Sequence, residues 1–414
     1  MKKLLKTILR KDRILNLVYR GLTIIFKFLL SIIIVKKLSV QDLGVYGIFQ
    51  TTVTLMVYIL GFDFYTYNAR ELLKTNSKDP SFYIGNQMVF HAIFYLLIIP
   101  LSLFLFFNNV ISTEYIIYFY LILIAEHISQ EIYRILIVLK KSVIASFTLL
   151  LRTGLWIFVL YILWAFNLTS QTIRDIFLLW SIGALISIMI GVFYIRFRFN
   201  FTVDFAWIKR GIKVATPFFI ATIFYKIIEF SGRYFIDFYW TKEEVGIFTF
   251  FSGIANAMFV FVQSTVIIVM SPYLIEASNK GIKEFSKIFK NYKNQILYTT
   301  GIGFLLASVF IYPLLMYLNN DLLTQNIVVF FLLLLAVTFF CFSYIPHYGL
   351  YAFHKDKQLL WASLIGAIIN IIANFALVPS YGVLGAAIAQ VLSMMSLFLS
   401  KEFLHKKLNN ERIS

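Results

Sequence analysis

Long apolar runs, each about the length of a membrane-spanning helix, dominate the pattern of this chain. A helix needs about 20 apolar residues to cross a bilayer, and it satisfies its backbone polar groups internally. Breaks at clusters of charged residues, Asn, Pro and Gly leave apolar segments near 14–35, 44–63, 82–106, 115–139, 143–166, 176–196, 212–238, 245–274, 295–318, 327–352, 358–378 and 382–401. The pattern predicts an all-α integral membrane protein with twelve transmembrane helices.

Composition supports this interpretation and excludes several classes of protein. Of the 414 residues, 60% are hydrophobic and 14% charged, against about 45–50% and 25% in soluble domains. In a soluble protein a net charge of +17 would suggest nucleic-acid binding. In a chain this hydrophobic, the charge is better explained by a membrane location, and we predict no nucleic-acid partner. The single cysteine, Cys341, excludes an intramolecular disulfide and a cysteine-cluster metal site. We predict no metal and no cofactor.

The positions of Lys and Arg predict the orientation in the membrane, because short cytoplasmic loops retain them. Of the 37 basic residues, 27 lie at the termini or in every second loop. These basic segments begin at Lys2, Arg70, Lys140, Arg196, Lys280, Lys355 and Lys401. Both termini are therefore predicted to be cytoplasmic, which requires an even number of helices. The longest cytoplasmic connections, near 197–211 and 276–294, are amphipathic and are predicted to lie on lipid headgroups, or alternatively to bind a partner.

A short internal repeat indicates a duplication. The stretch LSVQDLGVYGIF (38–49) matches WTKEEVGIFTFF (240–251), with an acid two residues before a glycine in each, Asp42 and Gly44 or Glu244 and Gly246. Transporters are often built from two related halves. We therefore predict two six-helix bundles, residues 1–198 and 199–414, with a cleft between them. The external loops are too short for a soluble catalytic domain, which argues against an enzyme.

Charged residues inside the predicted spans are the candidate functional residues, because each costs at least a few kcal/mol in a membrane unless it faces water or a partner. The deep basic residues outnumber the deep acidic residues, so pairing among themselves does not neutralise them. A phosphate-bearing anionic substrate would neutralise the excess positive charge. The predicted substrate-binding residues are Arg20, Lys27, Arg152, Lys226 and Arg233.

Acidic residues and a histidine in the same helices are candidates for ion coupling. Glu126, Glu229 and Asp237 are predicted coupling acids for H⁺ or Na⁺, and His127 is a candidate proton relay. Packing is the alternative role for His127, Glu229 and Asp237. In that case His127 is a hydrogen-bonded core residue, and charges three or four residues apart stabilise the helices. Those pairs are Lys226–Glu229, Glu229–Arg233, Arg233–Asp237 and Glu131–Arg134.

Three segments resemble a known family: LSVQDLGVYGIFQ, GRYFIDFYWTKEEVGIFTFFSGIANAM, and especially WASLIGAIINIIANFALVPSYGVLGAAIAQVLS (361–393). They are similar to the polysaccharide-biosynthesis or O-antigen flippases (Wzx-type). That family belongs to the MOP superfamily, which also holds the MATE exporters and the lipid II flippases. The late motif comprises Asn370, Asn374, Pro379, Tyr381, Gly382, Gly385, Ala386 and Ala387. Its Pro379 and Gly382 are predicted to form the turn between the last two helices, which makes the motif architectural.

The resemblance implies a MATE-like 6+6 fold and a function. It implies export of an undecaprenyl-diphosphate-linked oligosaccharide, such as an O-antigen or capsule repeat unit, to the outer leaflet of the bacterial inner membrane. Implied partners are membrane lipids and the polymerase and chain-length proteins of the same pathway. Twelve helices argue against the lipid II branch, which usually has fourteen. The alternatives are a MATE-like cation-coupled exporter of small molecules, a membrane polysaccharide polymerase or ligase, and a non-transporting scaffold.

Overall fold

The computed structural model describes residues 2–74, 79–195 and 202–413, and helices account for nearly all of them. The helices are α1 Lys2–Lys37, α2 Val40–Gly61, α3 Tyr65–Leu72, α4 Pro80–Ser102, α5 Phe104–Phe107, α6 Ile116–Val138, α7 Ser142–Leu150, α8 Trp156–Ala165, α9 Ile173–Ile195, α10 Phe205–Tyr239, α11 Lys242–Val262, α12 Ile268–Lys280, α13 Ile282–Leu318, α14 Asp321–Gln325, α15 Ile327–Tyr351 and α16 Asp356–Ile413. Two π-helical turns, Leu151–Leu155 and Gln263–Ile267, join α7 to α8 and α11 to α12. The prediction of an all-α protein is confirmed.

Ten helical segments in the described part of the chain are long and apolar enough to cross a membrane. They follow the predicted spans, and most ends are shifted by a few residues. The helix predicted at 295–318 begins earlier, at Ile282, and the one predicted at 212–238 begins at Phe205. The segment 115–139 corresponds to α6, which carries Glu126, Glu131 and Arg134 and is absent from the ten. The last two predicted spans lie together in α16, which is interrupted at Gly382. The chain is a multi-pass membrane protein.

Contacts divide the chain into two compact units. Unit 1 contains Met1–Leu38 and Ile48–Phe219, and unit 2 contains Ser39–Gly47 and Ile220–Ser414. The predicted domain boundary at residue 198 lies outside the described residues and stays a prediction, and the predicted loop residues Lys78, Arg196 and Arg198 lie outside them as well.

The first turns of α10 explain why unit 1 extends to residue 219. Trp207 and Ile208 are buried in an aromatic cluster with Phe64 and Phe90. From Phe205 onward the predicted surface segment near 197–211 is continuous with α10, and its placement on lipid headgroups stays a prediction. Burying a large aromatic side chain stabilises by about 1.5–3 kcal/mol, which favours continuation of the helix into this cluster.

The second predicted surface segment, near 276–294, is also part of longer helices. Its residues end α12 and begin α13, with a break at Gly281, whose φ of 117° is accessible mainly to glycine. Phe285 is buried and packs against Phe353 at a ring distance of 4.7 Å. This contact anchors the start of α13 within unit 2.

The two copies of the internal repeat cross within unit 2, and each copy packs its glycine against the backbone of the other. A Cβ on Gly44 would lie 1.7 Å from the carbonyl oxygen of Lys242, and one on Gly246 would lie 1.9 Å from that of Val40. Side-chain oxygens cap both helix starts: Ser39 Oγ accepts from the backbone N–H of Asp42 at 3.0 Å, and Thr241 does the same for Glu244 at 3.3 Å. The repeated motif is therefore a helix-crossing element.

The predicted turn between the last two helices is present, and Gly382 makes it. Gly382 adopts φ 53° and ψ −132°, whereas Pro379 stays within the helix. The carboxylate of Glu244 accepts the backbone N–H of Val383 at 2.8 Å. A Cβ on Gly382 would lie 2.3 Å from that carboxylate. The positive φ favours glycine here, and a larger residue would also displace the Glu244 carboxylate, which confirms the architectural interpretation of the motif.

Candidate functional site

A polar cavity of about 300 Å³ lies within unit 1. Three of the predicted site residues, Lys27, Glu126 and Arg152, line it together, although they come from three different helical segments. The other polar lining residues are Thr54, Tyr58, Gln130, Tyr133, Arg134, Thr153 and Trp180. The intramembrane charges that the sequence placed on separate spans of unit 1 thus converge on one site.

Arg152 and Glu126 form a buried ion pair in this cavity. Arg152 Nη1 lies 3.4 Å from Glu126 Oε2 and donates to the Glu126 backbone oxygen at 3.2 Å. Trp180 Nε1 donates to the other carboxylate oxygen at 2.6 Å. Arg152 lies on the π-helical turn Leu151–Leu155, a distortion that is frequent at functional sites. The pair leaves one guanidinium nitrogen, Nε, buried without a hydrogen-bond partner.

Lys27 is a cation of the cavity that forms no direct ion pair among the described residues. No ion pair or hydrogen bond of Lys27 is found among the described residues, and its side chain is exposed in the cavity. Because Glu126 is already engaged by Arg152, Lys27 leaves the group with a net positive charge. Arg20, on the same face of α1, donates to the Tyr133 hydroxyl at 3.2 Å. This hydrogen bond places the fourth predicted residue of unit 1 beside the cavity.

Arg134 also lines the cavity, and sequence analysis assigned it only a packing role. The predicted Glu131–Arg134 pair is confirmed, with a distance of 2.5 Å. The guanidinium also lies 3.7 Å from the centre of the Tyr65 ring. Arg134 is therefore held by a carboxylate and an aromatic face, and it adds no uncompensated charge.

In unit 2 the charged stripe of α10 is only partly paired along the helix. Lys226 and Glu229 form the predicted pair at 2.7 Å. Arg233 instead donates to the hydroxyls of Thr249 and Ser252, at 3.2 and 2.7 Å. Asp237 pairs with Lys242 at 2.6 Å. Among the described residues the predicted Glu229–Arg233 and Arg233–Asp237 pairs do not form, because serine, threonine and lysine side chains from α11 supply the partners.

Two asparagines of the late motif form a buried amide cluster in unit 2. Asn370 accepts hydrogen bonds from Ser231 and, at 3.1 Å, from Asn374. Each asparagine keeps one amide atom without a partner, Nδ2 of Asn370 and Oδ1 of Asn374.

Lys401 begins the basic C-terminal segment that is predicted to be cytoplasmic, and that location stays a prediction. Its side chain is fully buried in unit 2, since α16 continues beyond it to Ile413. The amine lies 3.3 Å from the Tyr225 hydroxyl and 3.5 Å from the Ser343 hydroxyl, and 5.4 Å from the centre of the Tyr225 ring. No carboxylate pairs with it among the described residues. Hydropathy gave no signal of this burial, because the residue ends an apolar run.

His127 does not share the environment of its neighbour Glu126. Successive helical residues point about 100° apart, so Glu126 faces the cavity while His127 faces α4. There it meets Tyr95 at 2.6 Å and His91, whose ring centre is 4.5 Å away. His91 is a site candidate that the sequence analysis missed. The search for charged residues inside apolar runs did not select His91, because histidine was counted as neutral. Its position in the middle of an apolar helix was the signal that could have identified it.

The chain is similar to a known protein family. A family model described as "Polysaccharide biosynthesis protein" matches residues 9–278. No curated protein sequence matches the chain significantly.

Several solved structures share the fold. An inward-facing multidrug resistance MATE family transporter of the MOP superfamily aligns with a TM-score of 0.71 and 14% identity, over 95% of this chain and 96% of that chain. The lipid II flippase MurJ in an inward closed conformation aligns with a TM-score of 0.72 and 14% identity, over 95% and 87%. The MATE multidrug transporter DinF-BH aligns with a TM-score of 0.66 and 16% identity, over 97% of this chain and 95% of that chain. At these identities the similarity establishes the fold.

Proposed function

From the premise that this chain belongs to the polysaccharide biosynthesis protein family, as its motifs predicted, we propose that it is a Wzx-type flippase. Its substrate is an undecaprenyl-diphosphate-linked oligosaccharide, such as an O-antigen or capsule unit. The protein moves this lipid by alternating access from the inner to the outer leaflet of the bacterial inner membrane. It is a transporter and not an enzyme, and its remaining partners are membrane lipids and the polymerase and chain-length proteins of the pathway.

The observation that carries this proposal is the polar cavity of unit 1 with its uncompensated Lys27. A cation in a low-dielectric cavity attracts an anion strongly: two unit charges 4 Å apart interact by about 4 kcal/mol at an effective dielectric constant of 20. Arg152 adds a guanidinium, whose planar fork suits phosphate oxygens, and its unpartnered Nε supplies a free donor. A diphosphate meets both requirements, whereas a cationic drug is repelled.

The same proposal gives the chain twelve spans. The helix α6, which is absent from the ten candidates, has 23 residues. It buries its carboxylates within unit 1, where Glu126 is 8% and Glu131 7% exposed. The helix α16 has 58 residues, about 87 Å at 1.5 Å per residue, which is nearly three times the hydrocarbon thickness. Including α6 and dividing α16 at Gly382 brings the ten candidates to twelve. The even number puts both termini on one side, which the basic loops identify as cytoplasmic.

The other charged residues have different proposed roles. Arg20 and, in unit 2, Lys226 and Arg233 are further phosphate-binding candidates. Arg233 is the stronger of the two in unit 2, since it has hydroxyl partners in place of a carboxylate. Coupling to H⁺ or Na⁺ remains a proposal for Glu229 and Asp237.

Glu126 and His127 are weaker coupling candidates than the sequence implied. Glu126 has both oxygens engaged, by Arg152 and by Trp180, which suits a residue that positions Arg152. His127 lies outside the cavity lining, so a proton relay through it would not reach the proposed substrate site directly.

The test replaces Lys27 in cells whose surface glycan depends on this protein. We expect Lys27→Met to reduce delivery of the glycan at least tenfold and to cause lipid-linked units to accumulate on the cytoplasmic face. Lys27→Arg, which keeps the charge, should restore delivery. The matched control is Arg174→Ala, because Arg174 is an exposed cation paired with Glu114 at 3.0 Å, away from the cavity. Equal membrane levels of all variants must be shown by immunoblot.

Three results contradict the proposal. Wild-type delivery by Lys27→Met removes the site assignment. Transport of an organic cation by the reconstituted protein, without transport of the lipid-linked glycan, favours the MATE-like exporter. Accumulation of exported but unpolymerised units after loss of the protein favours the polymerase or ligase.

A further inference from the structure

A second polar cluster in unit 1 contains two histidines and a carboxylate, all buried between α4 and α6. His91, His127 and Glu131 are 6%, 1% and 7% exposed, and each offers a ligand atom within 4.8 Å of the other two. His91 Nε2 lies 3.9 Å from Glu131 Oε2. None of the three lines the polar cavity that contains Lys27.

The hydrogen bonds of the two histidines leave one nitrogen of each turned toward the cluster. His91 Nδ1 lies 3.2 Å from the carbonyl oxygen of Leu60 and therefore carries its proton, so that Nε2 keeps a lone pair. His127 Nδ1 is 2.6 Å from the Tyr95 hydroxyl, and its Nε2 is buried without any partner. Metal-binding histidines are usually oriented in this way, with the second nitrogen fixed by a carbonyl or another polar group.

The side-chain amide of Gln87 lies between His91 and Glu131. Gln87 Nε2 donates to Glu131 Oε2 at 2.6 Å and lies 3.2 Å from His91 Nε2. Its oxygen accepts a hydrogen bond from Asn68, and Asn68 Oδ1 is buried without a partner. Rotation of both amides by 180° exchanges their oxygen and nitrogen atoms. Gln87 then presents an oxygen to the cluster, while Asn68 Oδ1 accepts from the rotated Gln87.

We propose that His91, His127 and Glu131 bind a divalent transition-metal ion of the Zn²⁺ class, with Gln87 as a fourth ligand. Imidazole nitrogens and one carboxylate are the ligand set that such ions prefer, whereas Mg²⁺ and Ca²⁺ favour oxygen ligands alone. Ligand atoms on a tetrahedral zinc are about 3.3 Å apart, so the present spacing requires side-chain shifts of roughly 1 Å. The bound ion cross-links α4 to α6.

Two neighbouring features affect the affinity of this site. Arg134 engages Glu131 Oε1 at 2.5 Å, which keeps the carboxylate oriented and leaves Oε2 for the ion, but its charge opposes a second cation. Gly61 packs beside the cluster, where a Cβ would lie 3.6 Å from His127 Nε2 and 3.7 Å from Glu131 Oε1. An apolar cavity of about 360 Å³ borders the cluster on the side of Met88 and Val192.

The experiment measures zinc bound to the full chain in detergent, purified with an affinity tag that contains no histidine. The protein is stripped with a chelator, loaded with zinc chloride, desalted and analysed by elemental mass spectrometry. We expect one zinc per chain. His91→Ala and His127→Ala should each lower the affinity at least tenfold. The matched control is His347→Ala, which removes a partly buried histidine of unit 2 that has an unpartnered nitrogen but no such cluster.

Two further variants keep the proposal testable if an alanine variant fails to fold. Gln87→Glu adds a carboxylate ligand and should raise the zinc affinity, while His127→Gln keeps a polar group near Tyr95 and should lower it. Absence of stoichiometric zinc in the wild type, or unchanged zinc in His91→Ala and His127→Gln, overturns the proposal. The readout is metal content and not glycan delivery, so its failure leaves the proposed flippase function untouched.

Discussion

The reciprocal glycine crossing in unit 2 yields a prediction for the stability of the fold. In Gly44→Ala the new Cβ would lie 1.7 Å from the Lys242 carbonyl oxygen, well below the 3.0 Å that real Cβ atoms keep. The two helices must therefore separate by at least about 1.3 Å at this point. A backbone carbonyl does not rotate away as a flexible side chain does, so the strain is distributed over both helices.

The magnitude follows from two opposing terms. Overpacking of a tight contact costs about 1–3 kcal/mol, and the backbone overlap puts Gly44→Ala at the upper end. Alanine regains about 1 kcal/mol over glycine through helix propensity, which leaves a net loss of about 2 kcal/mol. With an unfolding entropy of about 2.1 cal/mol/K per residue over a unit of roughly 200 residues, this loss lowers Tm by about 5 °C.

The assay is thermal unfolding of the purified variants in detergent, followed by intrinsic fluorescence. Gly246→Ala should behave like Gly44→Ala, because its Cβ would lie 1.9 Å from the Val40 oxygen. Gly253 is the matched control, since it lies in the same helix as Gly246 with nothing within 4 Å of its Cβ position. We expect Gly253→Ala to keep or raise Tm. Equal Tm values for all three variants would refute the claim that close backbone approach requires the glycines.

Two other substitutions test buried polar groups of unit 2. Glu244→Ala removes the acceptor of the Val383 N–H and should cost about 1–3 kcal/mol, whereas Glu244→Gln retains an acceptor and should lie close to wild type; equal losses in thermal unfolding would contradict the hydrogen-bond role. Lys401→Met keeps the volume of a fully buried amine that lies near the hydroxyls of Tyr225 and Ser343 and pairs with no carboxylate among the described residues. It should leave Tm unchanged or higher, because a buried charge without a counterion is costly. A lower Tm would show that the amine contributes to stability, and normal Tm with lost glycan delivery would give it a functional role.

Much of the fold was predictable because hydropathy acts locally. The length of each apolar run determined a helix wherever backbone hydrogen bonds must be satisfied without water, and most helix ends lie within a few residues of the predicted ones. The errors occurred where packing, and not hydropathy, extends a helix. Trp207 packs in an aromatic cluster at the start of α10, and Phe285 packs against Phe353 at the start of α13.

The candidate site was predictable only in part. Charges inside apolar runs identified Lys27, Glu126 and Arg152, because a charged residue type at such a position is costly unless the fold gives it water or a partner. Their partners were not predictable: Trp180 is an ordinary apolar residue by sequence, yet it donates to Glu126. In the same way, His91 becomes a candidate site residue only because the fold places it opposite His127.

The sequence by itself determined an all-helical membrane protein, its membership of a flippase-like family and an excess of buried positive charge. These properties follow from composition and from short motifs, which need no knowledge of which helices are neighbours. Only the tertiary structure decided that Lys27 forms no direct ion pair in the described part of the chain, that Lys401 is buried, and that two histidines and a glutamate converge. Each depends on distances of a few ångströms between residues far apart in the chain, and such distances arise only when the helices pack.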